Sequence, residues 1–289
     1  MSDGSTAENG VAEYATRSPA TGAAVSAERV VAVSDGGPDE PPNEYDDLLF
    51  ALGRTEEQDQ RISVHEAGHA VCARLLGHEV GGVTINPDPI RGSDGLCWDV
   101  GHSQAYSEGR GDASDVRAAI SPIMPKSGED RRPVADIFGS VYAKCIEFVA
   151  GRAAERLLMD GEPSQPVDDL RQAHELASLI CSGDEAIETF LAHCDVVARD
   201  LLAPHGDVLM TLSIVLRIKR TLNGRDIDEI ISDVVARKAI AIERRRRAEW
   251  RKAQTEADRF RAACDHADAA AVPRSAPNHE QRPIVGIPS

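Results

Sequence analysis

Residues 64–71 read VHEAGHAV, which sets His65, Glu66 and His69 in the spacing HExxH. Side chains four apart on a helix lie one above the other, so both imidazoles can reach a single ion. Neutral imidazole nitrogen suits zinc, and a catalytic zinc site takes three protein ligands and a water. Glu66 lies about 100° round the helix from His65, close to such an ion but poorly placed as a ligand. Its carboxylate can take a proton from an attacking water and pass it to a leaving amine. The chemistry expected is metal-assisted hydrolysis, with Zn2+ as cofactor, His65 and His69 as ligands and Glu66 as the catalytic group. The competing reading is a buried helix whose histidines are satisfied by backbone or carboxylate partners.

A third ligand must come from elsewhere in the chain. Glu155, in the run AGRAAE, is one candidate, and Asp169, on the apolar stripe of a later helix, is another. Asp168 beside it reads as the N-cap of that helix. His174 reads as a solvent-facing or supporting residue. Spacing alone does not separate Glu155 from Asp169.

The elements that must position these residues follow from periodicity. Thr55 and Gln58 have capping-box spacing, and Gly77 is a natural stop, which predicts a helix from Thr55 to about Leu76. Two of its stripes are apolar or carry the histidines, so it belongs in a core. The third stripe, Ser63, Glu66, Ala70 and Ala73, is expected to border an open cleft. A β-like run, 79–86, follows and is ended by Pro87 and Pro89. Residues 87–133 read as loop, with one short helix near 113–120. Helices are predicted over 136–159, 168–181, 186–202, 207–222 and 226–258. The fold class expected is mainly α (α+β), a helical zincin-like metallopeptidase domain with a small β-strand or hairpin element near the HExxH helix.

Composition bounds the function. The net charge of -16 argues against a nucleic-acid partner, because phosphate contact needs a positive surface. From Met1 to Gln60 there are 13 acidic residues against 3 basic ones, so much of the excess lies in the leader. Residues 1–44 are expected to be a disordered acidic leader, 45–235 the metallopeptidase domain, 236–268 a basic helical extension and 269–289 a flexible tail. The six cysteines include no CxxC pair, which favours free thiols in a reducing compartment over a disulfide framework. No uninterrupted apolar run nears the ~20 residues of a membrane span, and the N-terminus lacks the pattern of a secretory signal. The expected location is cytoplasmic.

Four segments in order, VHEAGHAV, VGGVTINP, AGRAAERLL and DDLRQAHELA, resemble the peptidase domain of the FtsH-type ATP-dependent zinc metalloproteases. The later segment HGDVLMTLSIVLRIKRTLNGRDIDEII is similar to that domain's closing helices, so the resemblance covers roughly residues 60–232. It implies a zinc metalloendopeptidase in which Asp169 is the third metal ligand and Glu155 a supporting residue. It also implies that the strand of residues 82–86 pairs with an extended peptide, making Val83, Thr84 and Ile85 substrate-binding. The family carries transmembrane segments and an AAA ATPase module ahead of the peptidase. This sequence shows neither, and no GxxxxGK[ST] occurs, so it is read as a stand-alone domain. Ala150 and Asp168 replace a glycine and an asparagine of the family pattern, and residues 90–133 depart from it most. The partners implied are a peptide or unfolded protein substrate, a separate ATPase and further copies of the chain. Two other readings compete: a peptidase-like binding or regulatory module, and a specific protease of one regulatory protein.

Overall fold

A computed structural model describes residues 44–88, 92–108, 110–126, 128–164 and 167–271. The expected leader, apart from Glu44, and the tail from residue 272 lie outside the described residues.

Among the described residues the fold is mainly helical with one three-stranded sheet. Helix α1 (Glu44–Leu52) leads into α2 (Glu56–Leu75), which carries the HExxH sequence. Thr55 caps α2 as its spacing predicts: its hydroxyl accepts from the Gln58 N–H, and its own N–H donates to the Gln58 side chain. Strand β1 (Val80–Thr84) and strand β2 (Leu96–Asp99) follow, then α3 (His102–Ser107) and α4 (Ala113–Ile120). The long α5 (Ala135–Leu158) and the short α6 (Val167–Ala177) precede α7 (Asp184–Leu202) and α8 (Gly206–Lys219). Strand β3 (Thr221–Asn223) closes the sheet, and α9 (Gly224–Ala271) runs without a break through the boundary expected near residue 235.

The sheet is antiparallel in the order β2-β1-β3. Strands β2 and β3 were not expected, nor was α3. Both strands are only three or four residues long, and their pairing is set by partners distant in the chain. Leu222 is therefore a buried strand residue and not the end of a helix. The segment Asp184–Lys219, spanning α7 and α8, contains an 18-residue window of mean hydropathy 1.4, enough by length and composition to cross a membrane. Within the fold, Ile187, Cys194, Leu209, Leu212 and Leu216 of this segment lie in the core.

Helix α2 is the centre of that core. From Ser63 to Ala73 every residue is buried, enclosed chiefly by α5, α8 and β1. The stripe expected to border an open cleft is thus packed: Ser63, Ala70 and Ala73 are fully buried, and only Glu66 keeps a trace of exposure. Small side chains let neighbours close over that face. On the side toward α5 the two backbones nearly touch. A Cβ on Gly68 would lie 2.6 Å from Ala154 Cβ and 2.7 Å from the Ala150 carbonyl oxygen.

Asp59, fully buried, ties four elements together. Arg220 donates to its two oxygens at 2.7 and 2.9 Å, and Tyr45 of α1 donates at 3.0 Å. Arg220 and Arg54 both also donate to the Ile85 carbonyl just past β1. Arg220 has φ 66°, in the left-handed region where a side chain costs energy. The paired guanidinium holds it there at the turn from α8 into β3. Burial pushes the Asp59 carboxyl up, but Arg220 and Tyr45 together hold it below its ordinary 3.8.

Removing one side of a buried ion pair costs about 3–5 kcal/mol, because the survivor stays desolvated. Arg220→Met is expected to lower stability to urea by about that amount. A group whose folded pKa is depressed contributes fully above its unfolded value and loses that contribution as pH falls through the folded one. Wild type should therefore lose stability below about pH 4, and Asp59→Asn should show a shallower loss there in urea titrations at stepped pH.

Candidate metal centre

The donors come from α2 and α6, and their supports mainly from α5. His65 and His69 project from α2 toward the first turn of α6, which carries Asp169. The two Nε2 atoms are 3.0 Å apart. Asp169 Oδ2 lies 3.0 Å from Nε2 of His65 and 3.3 Å from Nε2 of His69.

The other ring nitrogens are occupied. His69 Nδ1 donates to the Glu147 carbonyl at 2.7 Å, and His65 Nδ1 donates to Glu155 Oε1 at 2.7 Å. In the neutral tautomers these bonds leave both Nε2 lone pairs bare and facing a carboxylate oxygen. Three electron-rich atoms at the corners of a triangle about 3 Å on a side repel unless a positive charge sits among them. Zinc bound at about 2.0–2.1 Å to nitrogen or oxygen in a tetrahedron spaces its ligands by about 3.4 Å, close to this triangle. The donor set and its spacing therefore fit a zinc ion.

The electrostatics point the same way. Burial opposes charge on His65, yet Asp169 and Glu155 raise its pKa to about 10. His69 is raised too, with burial again opposed by Asp169. Burial would push the Asp169 carboxyl up, but the two imidazoles hold it well below the usual range. The pocket stabilises cations strongly, and in the absence of metal that cation is a proton.

Glu66 differs from the other two acids. Burial raises it to about 7, with the histidines pulling the other way. Its Oε2 is buried without a hydrogen-bond partner. Gly95, just before β2, presses on the same group: a Cβ there would stand 2.6 Å from Glu66 Oε1. A poised carboxylate with a bare oxygen beside a cation-seeking triangle is equipped to hold and release a proton.

Glu155 occupies the supporting position. Besides His65 it accepts from Arg61 at 3.1 Å, from the Ser164 N–H at 2.8 Å and from the Ser164 hydroxyl. Burial pushes its carboxyl up, while His65 and Ser164 bring it to about 2. The geometry thus separates the two acids that spacing left level: Asp169 faces the Nε2 pair and Glu155 faces Nδ1. Asp168 is not the N-cap that its position suggested. It lies inside the first turn of α6, exposed, and accepts from Arg171 and Gln172. Arg171 also pairs with Asp112, the N-cap of α4, and so braces α6 from outside. His174 is exposed.

Val83, Thr84 and Ile85 require correction as substrate-binding residues. Strand β1 is central: Val83 pairs with Cys97 on one side and Leu222 on the other, and Thr84 with Leu96 and Thr221. The Ile85 N–H already donates to Arg220, and Val83 and Ile85 are fully buried. No edge of β1 remains for a peptide at these positions.

Sequence reasoning missed several contributors. Arg61 sits one helical turn before His65, on the same face, which was a usable signal. Gly151 sits one turn before Glu155, and a Cβ on it would lie 2.6 Å from His65 Cδ2. Glu147 acts through its backbone carbonyl, while its carboxylate accepts from His78 and Lys144. A backbone acceptor leaves no mark on residue type.

No protein-family model matches the chain. Among curated proteins it is similar to the ATP-dependent zinc metalloprotease FtsH of Aster yellows witches'-broom phytoplasma (strain AYWB), 26% identical over 121 residues. That match takes in 32% of this chain and 18% of the relative, so the chain spans under a fifth of the protein it matches. The relationship is distant.

Two outcomes test the centre. Gly151→Ala should displace the His65 ring and weaken zinc binding about 10–100-fold in a competitive chelator titration, as loss of a ligand's support does. The helix itself should be retained, since alanine favours it. With His65 protonated up to about pH 10, zinc must displace a proton on entry. Apparent affinity should then rise about tenfold per pH unit from pH 6 to 8, with proton release seen by calorimetry in buffers of different ionisation enthalpy.

Proposed function

We propose that this chain is a zinc-dependent metalloendopeptidase that hydrolyses peptide bonds in unfolded or loosely structured protein. The observation that carries the reading is the convergence of His65 Nε2, His69 Nε2 and Asp169 Oδ2 beside the unpartnered Oε2 of Glu66. The distant similarity to a zinc metalloprotease supports it.

When bound, Zn2+ supplies Lewis-acid polarisation of the scissile carbonyl and acidifies water enough for attack near neutral pH. The protein's own groups do the rest. Glu66 accepts the proton of the attacking water at Oε2 and returns it to the leaving amine. A pKa of about 7 suits both transfers. Glu155 keeps the His65 proton on Nδ1, and the Glu147 carbonyl does the same for His69, so both Nε2 atoms stay available. The peptide pairs along the outer edge of β2, whose other edge is taken by β1. Gly95, the residue before β2, lies against Glu66, so backbone pairing along β2 would hold an extended substrate close to that carboxylate.

One observation favours a second reading, a peptide-binding module with little turnover. His65, Glu66 and His69 are each only 7–8% exposed, with Gly95 set against the carboxylate. Denatured casein separates the two. The endopeptidase reading expects zinc-dependent cleavage, abolished by chelator and lowered about 10²–10⁴-fold in Glu66→Gln with zinc content unchanged. Undiminished cleavage by pure Glu66→Gln would sink the assigned mechanism. Zinc and peptide binding without cleavage in wild type would favour the module.

A further inference from the structure

Helix α9 leaves the apolar core at about Val235, with Lys238 still paired to Asp207 of α8. Up to that point Ile227, Ile230, Ile231 and Val234 pack it against the core. From Val235 to Ala270 every side chain except that of Glu243 is exposed, over about 54 Å of helix. Lone helices in water are marginal, and a polar surface would be the stable choice for one. This helix instead shows a seam. Trp250, Ala253, Ala257, Phe260, Cys264 and Ala267 recur at alternating intervals of three and four, the a and d positions of successive heptads. Trp250 is 70% and Phe260 72% exposed.

We infer that this seam is a self-association surface, on which α9 of a second copy of the chain packs antiparallel. Side-chain size and charge select the orientation. In an antiparallel pair each a residue faces a d residue of the other helix. One register sets Trp250 against Ala267 of the second copy, Ala253 against Cys264 and Ala257 against Phe260. Every layer then joins a large or medium side chain to an alanine, which fills the interface evenly. A parallel, in-register pair would stack Trp250 on its own copy and Phe260 on its own copy, and leave alanine layers as gaps between them.

Charge excludes the parallel pair more strongly. Arg244, Arg245, Arg246, Arg247, Arg251 and Lys252 outnumber the single acid Glu249 in that stretch. Parallel pairing would lay this basic segment along itself, at a cost from like-charge repulsion. Antiparallel pairing carries the two segments to opposite ends. It sets each near Asp268 of the second copy. Arg247 and Asp268 fall on the same flank, about 3 Å apart along the axis. The two domains would then stand about 70 Å apart where their helices emerge, with both metal centres outside the interface.

Sedimentation equilibrium on the full chain tests this. Wild type should show twice the 31.0 kDa chain mass at tens of micromolar. Ala257→Glu sets a carboxylate against Phe260 in two layers and should give the monomer mass, with zinc affinity and urea midpoint unchanged. For orientation, Ala253→Cys should gain a covalent dimer with a short bismaleimide through Cys264 of the second copy. Wild type should not, because its two Cys264 residues would sit about 16 Å apart. A monomeric wild type overturns the proposal and hands the seam to a helix of another protein. A dimer that survives Ala257→Glu, or wild-type cross-linking at Cys264, overturns it as well.

Discussion

The centre depends on the closeness of α2 and α5. Gly68 on one helix meets Ala150 and Ala154 on the other, and Gly151 lies under the His65 ring. Only residues without bulk allow backbones that near. Because the helices touch, the Glu155 carboxylate and the Glu147 carbonyl arrive at the two Nδ1 atoms. That contact sets both tautomers, and the tautomers in turn aim both Nε2 lone pairs at Asp169. Ala150, where the resembling family has glycine, still satisfies the constraint, since its own Cβ is small and its carbonyl is what Gly68 approaches.

Burial acts differently on the three acids around the histidines. Glu155 has four donors and is held ionised. Asp169 is held ionised by the imidazoles alone. Glu66 has no donor at Oε2, and the pull of the two imidazoles does not offset its burial, so it drifts toward neutrality. The same low-dielectric surroundings thus yield two permanent anions and one carboxylate near its midpoint. That division separates the groups that hold charge from the group that exchanges a proton.

Much of this was legible in the sequence where the signal is local. The capping box at Thr55, the HExxH spacing and the helical periodicity of α5 all act within a few residues, and each appears where it was read. The fold class follows from the same signals. What escaped was set by distance. Glu155 and Asp169 are both acids on apolar stripes, and only the packing of α5 and α6 on α2 tells which ring nitrogen each one meets. Strands β2 and β3 are too short to carry periodicity, so β1 read as an edge when it is the middle of a sheet. Three small residues beside Glu66 read as the wall of a cleft, when their smallness is what lets neighbouring elements close over them.

His65 and Asp169 are separated by 104 residues of chain, and His65 and Glu155 by 90. Closing loops of that size costs entropy before any contact repays it, so such arrangements assemble late. No fragment emerging from a ribosome holds the triangle until α6 has been made and has docked. A metal taken up by this triangle would therefore enter after the fold has closed. Until then Arg61 and Ser164 balance Glu155, and the two histidines and Asp169 have only protons, which an entering ion would replace.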